Sequence, residues 1–229
     1  MTPPVKNTAL PLLASLSIAV FAGCAAPTEE AADTSASSIV GGVEATPGEW
    51  DGAVVVQKNG RLVCGGTLIA DQWVLTAAHC VTASSATGGF SGVVINRHKL
   101  SSTEGVVVSV DRAFRHEAYG RPQRFDNDIA LIHLATPAPK TASKSKLITP
   151  EQLGSIVAGA STTVVGWGTT SQGGSISDVL REVSVPVIDN ATCKALPRYN
   201  TVTENMICAG DLANGGIDSA RMFGRKDEV

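Results

Sequence analysis

Short β-branched runs, cut every few residues by Gly, Asn or Asp, dominate the chain from Ile39 onward. No long segment carries the 3.6-residue period of an amphipathic helix. Ala53-Val54-Val55-Val56-Gln57, then Asn59-Gly60, then Leu62-Val63-Cys64 predicts a hairpin, because Asn-Gly tolerates the positive φ of a tight turn. Further strands are expected at Gly66–Ile69, Trp73–Thr76, Gly92–Ile95, Gly105–Val110, Asp128–Leu134, Ser161–Val165 and Leu180–Val187. The only helix expected is a turn near Ala77–Cys80. Many short strands with frequent turns indicate an all-β barrel or sandwich. Periodicity alone does not choose between the two.

Composition narrows the function classes. The 229 residues are 43% hydrophobic and 17% charged, and 18 Lys+Arg against 21 Asp+Glu give a net charge of -3. A disordered chain needs low hydrophobicity and high net charge, so that class is excluded. A slightly acidic balance with no Lys/Arg run longer than two excludes a nucleic-acid binder that works through bulk charge. At about 100–200 residues per domain the chain allows one large domain or two small ones.

Residues 1–24 stand apart. Lys6 is the only charge before Glu29, and an apolar stretch from Ala9 to Ala22 follows it, interrupted by Pro11. That stretch is too short for a spanning helix of about 20 apolar residues, and it reads as an export signal. Phe21-Ala22-Gly23-Cys24 resembles a bacterial lipobox, with Phe21 where Leu is usual and Cys24 as the lipidation site. The competing reading is ordinary signal cleavage nearby, for example after Ala26, where Pro27 just beyond the cut is unfavourable. Residues 25–38, rich in Ala, Ser and Thr, read as a disordered tether or propeptide.

Five cysteines fit an exported chain, because structural disulfides persist in oxidising compartments. An odd count leaves one over, and lipidation would use Cys24. The other four fall into two local pairs: Cys64 and Cys80 enclose fifteen residues, and Cys193 and Cys208 enclose fourteen. Closing loops of that size removes roughly 3 kcal/mol of unfolded-state entropy each, in the chain-entropy model. Zinc is the competing use of four cysteines, but no C-x-x-C spacing supports it.

Local strings carry the chemistry. In order they are Ile39-Val40-Gly41-Gly42, Cys64-Gly65-Gly66-Thr67-Leu68-Ile69, Trp73-Val74-Leu75-Thr76-Ala77-Ala78-His79-Cys80, and Asp126-Asn127-Asp128-Ile129-Ala130-Leu131. Val165-Gly166-Trp167-Gly168, Cys208-Ala209-Gly210 and Gly215-Gly216-Ile217-Asp218-Ser219 follow. In this order and spacing the chain resembles the trypsin/chymotrypsin family of serine endopeptidases, from Ile39 to Ser219. The resemblance implies an all-β, two-barrel peptidase domain over residues 39–229 and a protein or peptide substrate. No metal or cofactor motif is visible, and a monomer is expected.

The resemblance makes His79 the general base. An imidazole with an unperturbed pKa near 6.5 suits removal of a hydroxyl proton near neutral pH. Asp128 would hold that ring in the right tautomer and stabilise the imidazolium. Its apolar sequel, Ile129-Ala130-Leu131-Ile132, places it at the start of a buried strand, where an unpaired carboxylate is costly. Asp126 reads as an ordinary turn aspartate, and His98, His116 and His133 as surface or barrel-edge residues. Asp218 matches the family's specificity aspartate, which would select Lys or Arg before the scissile bond by charge pairing.

The pattern then breaks. After Ser219 the family continues Cys-Gln-Gly-Asp-Ser-Gly-Gly-Pro, whereas this chain reads Ala220-Arg221-Met222-Phe223-Gly224-Arg225-Lys226-Asp227-Glu228-Val229. The nucleophilic Ser and the oxyanion-hole amides have no counterpart. Ser219 lies one motif too early and is not followed by Gly. The first barrel is expected complete and the second incomplete, with an off-pattern tail over 220–229 too short and charged to cover its strand edges. Activation departs as well: Ser38 precedes Ile39, and no Lys or Arg lies between Lys6 and Lys58, so a trypsin-like activator has no site there. The leading expectation is an exported, surface-tethered, truncated and inactive family member. Its rivals are a non-catalytic binding lipoprotein and a gene remnant. Asn190-Ala191-Thr192 fits a glycosylation pattern, to which a bacterial host gives little meaning.

Overall fold

The computed structural model describes residues 42–170, 174–197 and 199–212, together with the backbone of 217–218 and 222–223. The fold is all-β and built on two antiparallel sheets. The first contains β2 (Ala53–Lys58), β3 (Arg61–Ala70), β4 (Trp73–Thr76), β5 (Gly92–Ile95), β6 (Val106–Val108), β7 (Val110–Arg115) and β8 (Ala130–Leu134). Their order across the sheet is β6-β5-β2-β3-β4-β8-β7. The two ends of this order are consecutive in sequence, joined through Ser109 alone, so the sheet must curl until its ends meet.

β2 and β5 explain their own composition. Val54, Val56, Val93 and Ile95 point into the first core, while Val55 and Val94 point the other way into a second cluster with Trp167 and Leu180. Both faces are covered, so these strands read as unbroken apolar runs instead of alternating ones. β3 and β4 show the close approach that glycine permits. A Cβ on Gly66 would lie 2.8 Å from Val74 Cγ1 and 3.1 Å from the Leu75 carbonyl oxygen. The expected hairpin forms, with Asn59 at φ 51° and Gly60 at φ 74° between β2 and β3.

The second sheet comprises β1 (Val43–Glu44), β9 (Ser161–Gly166), β10 (Arg181–Ile188), β11 (Met206–Asp211), β12 (Ile217–Asp218) and β13 (Met222–Phe223). Three of these pieces have only two residues each. Its own cluster is Val164, Val183 and Val185. The seam between the sheets is held by specific bonds as well as by the Trp167–Leu180 cluster. The His98 carbonyl accepts from Trp167 Nε1 at 2.9 Å and from the Leu180 amide at 2.9 Å. The Asp178 carboxylate accepts from the Ser101 amide and hydroxyl, each at 2.8 Å.

Several elements differ from expectation. The region expected as one strand over Gly105–Val110 is two, β6 and β7, and β7 runs on to Arg115. Beyond the 3-10 turn at Ala78–Cys80 there is a second 3-10 turn at Pro150–Ser155 and a short α-helix, α1, at Asn190–Lys194. Both are too short to show a period and are fixed by their ends. The Thr149 amide donates to Gln152 Oε1 at 3.0 Å, and Asp189 caps α1 by accepting from the Thr192 amide at 2.8 Å. The tail also pairs: Met222–Phe223 lies antiparallel to Met206–Ile207 of β11, although the tail was expected to cover no strand edge.

Candidate active site

His79 sits in the 3-10 turn that follows β4, and the turn is anchored at its C-terminal end by the Cys64–Cys80 disulfide. A second disulfide joins Cys193 in α1 to Cys208 in β11. Both local pairs read from the sequence are therefore the bonded pairs. Asp128 lies two residues before β8, whose backbone pairs with β4, so one strand pair carries both side chains to the same place.

Asp128 grips His79 twice. Its Oδ2 lies 2.7 Å from the ring Nδ1, and its Oδ1 accepts from the His79 backbone N–H, also at 2.7 Å. The carboxylate side chain is fully buried, whereas the imidazole is 30% exposed. One bond orients the ring and the other fixes the backbone that carries it. A neutral imidazole that donates from Nδ1 to Asp128 has Nε2 free to accept a proton. The Phe125 ring stands edge-on to the imidazole, with centroids 6.3 Å apart.

His79 opens onto a cleft of about 680 Å³ between the sheets, lined among others by Gly65, Thr67, Thr76, Ser145 and Thr163. The cleft wall contributed by β9 belongs to the second sheet, so the site is assembled from both halves.

Donor atoms of Cys64, His79 and Cys80 lie within 4.8 Å of one another, but the two sulfurs are bonded to each other and offer no thiolate to a metal. Tyr119, packed against the first core near Asp128, has its hydroxyl pKa raised by burial first and by the Asp128 carboxylate second, partly offset by Arg115 and Arg124.

Asp126 does more than the ordinary turn aspartate its local string suggests. It is 1% exposed, and its Oδ1 accepts from the Asn127 amide at 2.9 Å, Thr203 Oγ1 at 3.1 Å and Asn205 Nδ2 at 3.0 Å. It ties the loop carrying Asp128 to the segment entering β11. Nothing in the local string announces a partner 77 residues away. His98 and His133 pair with Glu44 and Asp111, both at 2.9 Å, as partly exposed residues away from His79. Asn190 spends its amide on the Thr203 and Met206 carbonyls, at 2.8 and 3.1 Å, which leaves no free acceptor nitrogen for a glycan.

The backbone of Asp218 pairs with Gly210, beside Cys208. Cys24, Ser38, Ile39 and Ser219 lie outside the described residues.

An all-β fold of two antiparallel sheets with a buried aspartate bonded to a histidine is set beside known proteins as follows. The trypsin family profile matches residues 39–221. Brachyurin of Leptuca pugilator is 36% identical over 181 residues, covering 78% of this chain and 76% of that protein. Serine protease 56 of Homo sapiens is 34% identical over 183 residues, and that of Mus musculus 35%; each match covers 80% of this chain but only 30% of the relative. The chain belongs to the trypsin family.

Proposed function

We infer that this protein is an exported member of the serine endopeptidase branch of the family. Its scaffold is built for peptide-bond hydrolysis after Lys or Arg, and the 229-residue polypeptide by itself binds peptide without cleaving it. The doubly bonded His79–Asp128 pair facing an open cleft carries this reading. In an intact relay His79 Nε2 takes the proton of an attacking hydroxyl as the new bond forms, then returns it to the leaving amine. Asp128 holds the ring and balances the imidazolium charge. Asp218 is the proposed anchor for a basic side chain in the substrate.

No Gly-Asp-Ser-Gly string occurs among the 229 residues, so the hydroxyl and the backbone donors for the oxyanion are not supplied at the family's position. Losing one such donor alone costs about 100-fold or more in rate. Disulfides at Cys64–Cys80 and Cys193–Cys208 fit export, and Cys24 is the proposed lipid attachment that would tether the protein to a membrane surface. The proposed domain plan is a signal over 1–24, a tether over 25–38 and a monomeric peptidase domain from 39.

The purified chain, incubated with an arginine ester or amide, is expected to show no turnover above buffer. Turnover that disappears in His79→Ala would overturn the inactive reading. Mass spectrometry of the N-terminal fragment tests the lipid on Cys24.

A further inference from the structure

The seven-stranded sheet has no loose end, because β6 and β7 are consecutive in sequence and the sheet curls until they meet. The second sheet is different. Its strand β9 pairs with β10 and, among the described residues, with nothing on its other side. The phase of the ladder fixes which backbone groups are left over. The Leu180 carbonyl accepts from the Ala45 amide, and Val187 spends its N–H on Ala160 and its C=O on Gly159. Even-numbered residues of β10 therefore face β1, and odd-numbered ones face β9. In the register Arg181–Gly166, Val183–Val164 and Val185–Thr162, the even-numbered residues of β9 are the bonded ones. Ser161, Thr163 and Val165 turn their N–H and C=O outward, and among the described residues no backbone hydrogen bond reaches them.

That open edge borders the cleft. Thr163, Val164 and Val165 line it together with His79 and with Gly65, Gly66 and Thr67 of β3. Strand edges that stay unpaired are normally guarded by a charge, a proline or a bulge. Ser161-Thr162-Thr163-Val164-Val165-Gly166 carries no charge and no proline, and its register with β10 runs without a shift. The buried cluster of Val164, Val183 and Val185 also ends here, with Val164 as its outermost member. An unguarded edge and an apolar cluster that stops at it are what an added strand would complete.

We propose that the β9 edge receives an extended segment of another polypeptide as an added antiparallel strand, with apolar side chains at alternate positions. This rests on the reading that the cleft holds polypeptide. The main chain of the segment exchanges hydrogen bonds with Ser161, Thr163 and Val165, which gives affinity without any demand on side chains. The residue opposite Val164 lies on the same face as Val183 and Val185, and an apolar side chain there extends their cluster. The antiparallel sense follows β9–β10 and the other pairings of both sheets. Walls at Glu49–Ala53 and Ser143–Ser145 also line the cleft, so it admits one extended segment and excludes the flat edge of a second folded copy.

The probe is a fluorescein-labelled heptapeptide alternating Thr and Val, read by anisotropy, by the His79 ring resonances and by amide exchange in the protein. In the bound strand its Thr residues lie opposite Thr163 and Val165 and turn their N–H toward β9, while its Val residues turn theirs away. N-methylation of the peptide's Thr amides is expected to weaken binding about tenfold or more, and of its Val amides about twofold or less. Binding should slow exchange of the Thr163 and Val165 amides about tenfold or more. Thr163→Pro removes an outward N–H and no ladder bond, so it should lose binding with little change in its melting curve. If that variant fails to fold, the two methylated peptides still decide. Equal weakening by both methylations, with His79 perturbed, overturns the added strand and leaves the cleft reading intact. Exchange already slow at Thr163 and Val165 in the free monomer overturns it too, because this chain's own residues then fill the edge. So does a dimer in sedimentation that protects the same two amides. If no peptide binds, the cleft reading fails and the added strand falls with it.

Discussion

The two sheets differ in how much core each has of its own. The seven-stranded sheet gathers seventeen buried residues into one cluster, from Val54 to Ala142, while the described part of the second sheet gathers three. Both members of the His79–Asp128 pair come from the sheet with the large core, attached to β4 and β8. The smaller sheet supplies a cleft wall through β9 and is joined to the first by the Trp167–Leu180 cluster and by the Asp126 tie. The orientation of the His79 ring is thus set within one well-packed half, and the other half supplies a wall of the cleft it faces.

That contrast can be broken most directly in the cores. Ile132→Ala should cost about 2–5 kcal/mol by leaving a cavity in the first sheet, and Val185→Ala about 1–2 kcal/mol. Urea denaturation of both variants measures the difference; equal losses would mean that the second core is as well built as the first. Removing either disulfide should cost roughly 3 kcal/mol. Only the loss of Cys64–Cys80 should move the His79 ring resonances, because only that bond anchors its turn. A matching shift on losing Cys193–Cys208 would show that the second half also positions the base.

Asp126→Ala removes the acceptor for three donors and should cost about 1–3 kcal/mol. Hydrogen exchange should then rise at Asn127 and at Asn205 together. A rise on one side alone would show that the tie does not couple the halves.

The smallest effect concerns acid. The Asp178 carboxyl is held below its ordinary range first by the Ser101 hydroxyl and amide, with Lys99 assisting. A depressed folded-state pKa gives stability that is fully present above the unfolded carboxylate range and lost as pH falls through the folded value. Asp178→Asn should flatten the acid limb of the stability curve slightly, since the group is exposed. An unchanged limb in a pH series of melting curves would remove this seam contact from the account.

Strands whose own residues carry an apolar β-branched pattern were legible in both sheets. β2, β4 and β5 of the first and β9 and β10 of the second fall within a residue of their expected ranges, and the Asn59-Gly60 hairpin lies where its turn chemistry requires. Pieces set by their partners were not legible. α1 is set by a cap at Asp189, and β11 acquires strand geometry from its pairing partners, not from any alternation of its own. In the site, the string around His79 and the apolar run after Asp128 announced the pair. Asp126 announced nothing, because its partners Thr203 and Asn205 are polar loop residues that only folding brings to it.

By itself, the order of residues determined the all-β texture, the two cysteine pairs and the candidacy of His79 and Asp128, since each rests on neighbours close along the chain. Tertiary structure alone decided that one carboxylate would hold both the backbone and the ring of His79, and that Asp126 would bridge the halves. Those outcomes depend on distances between segments far apart in sequence, and such distances exist only once the sheets have curled and packed.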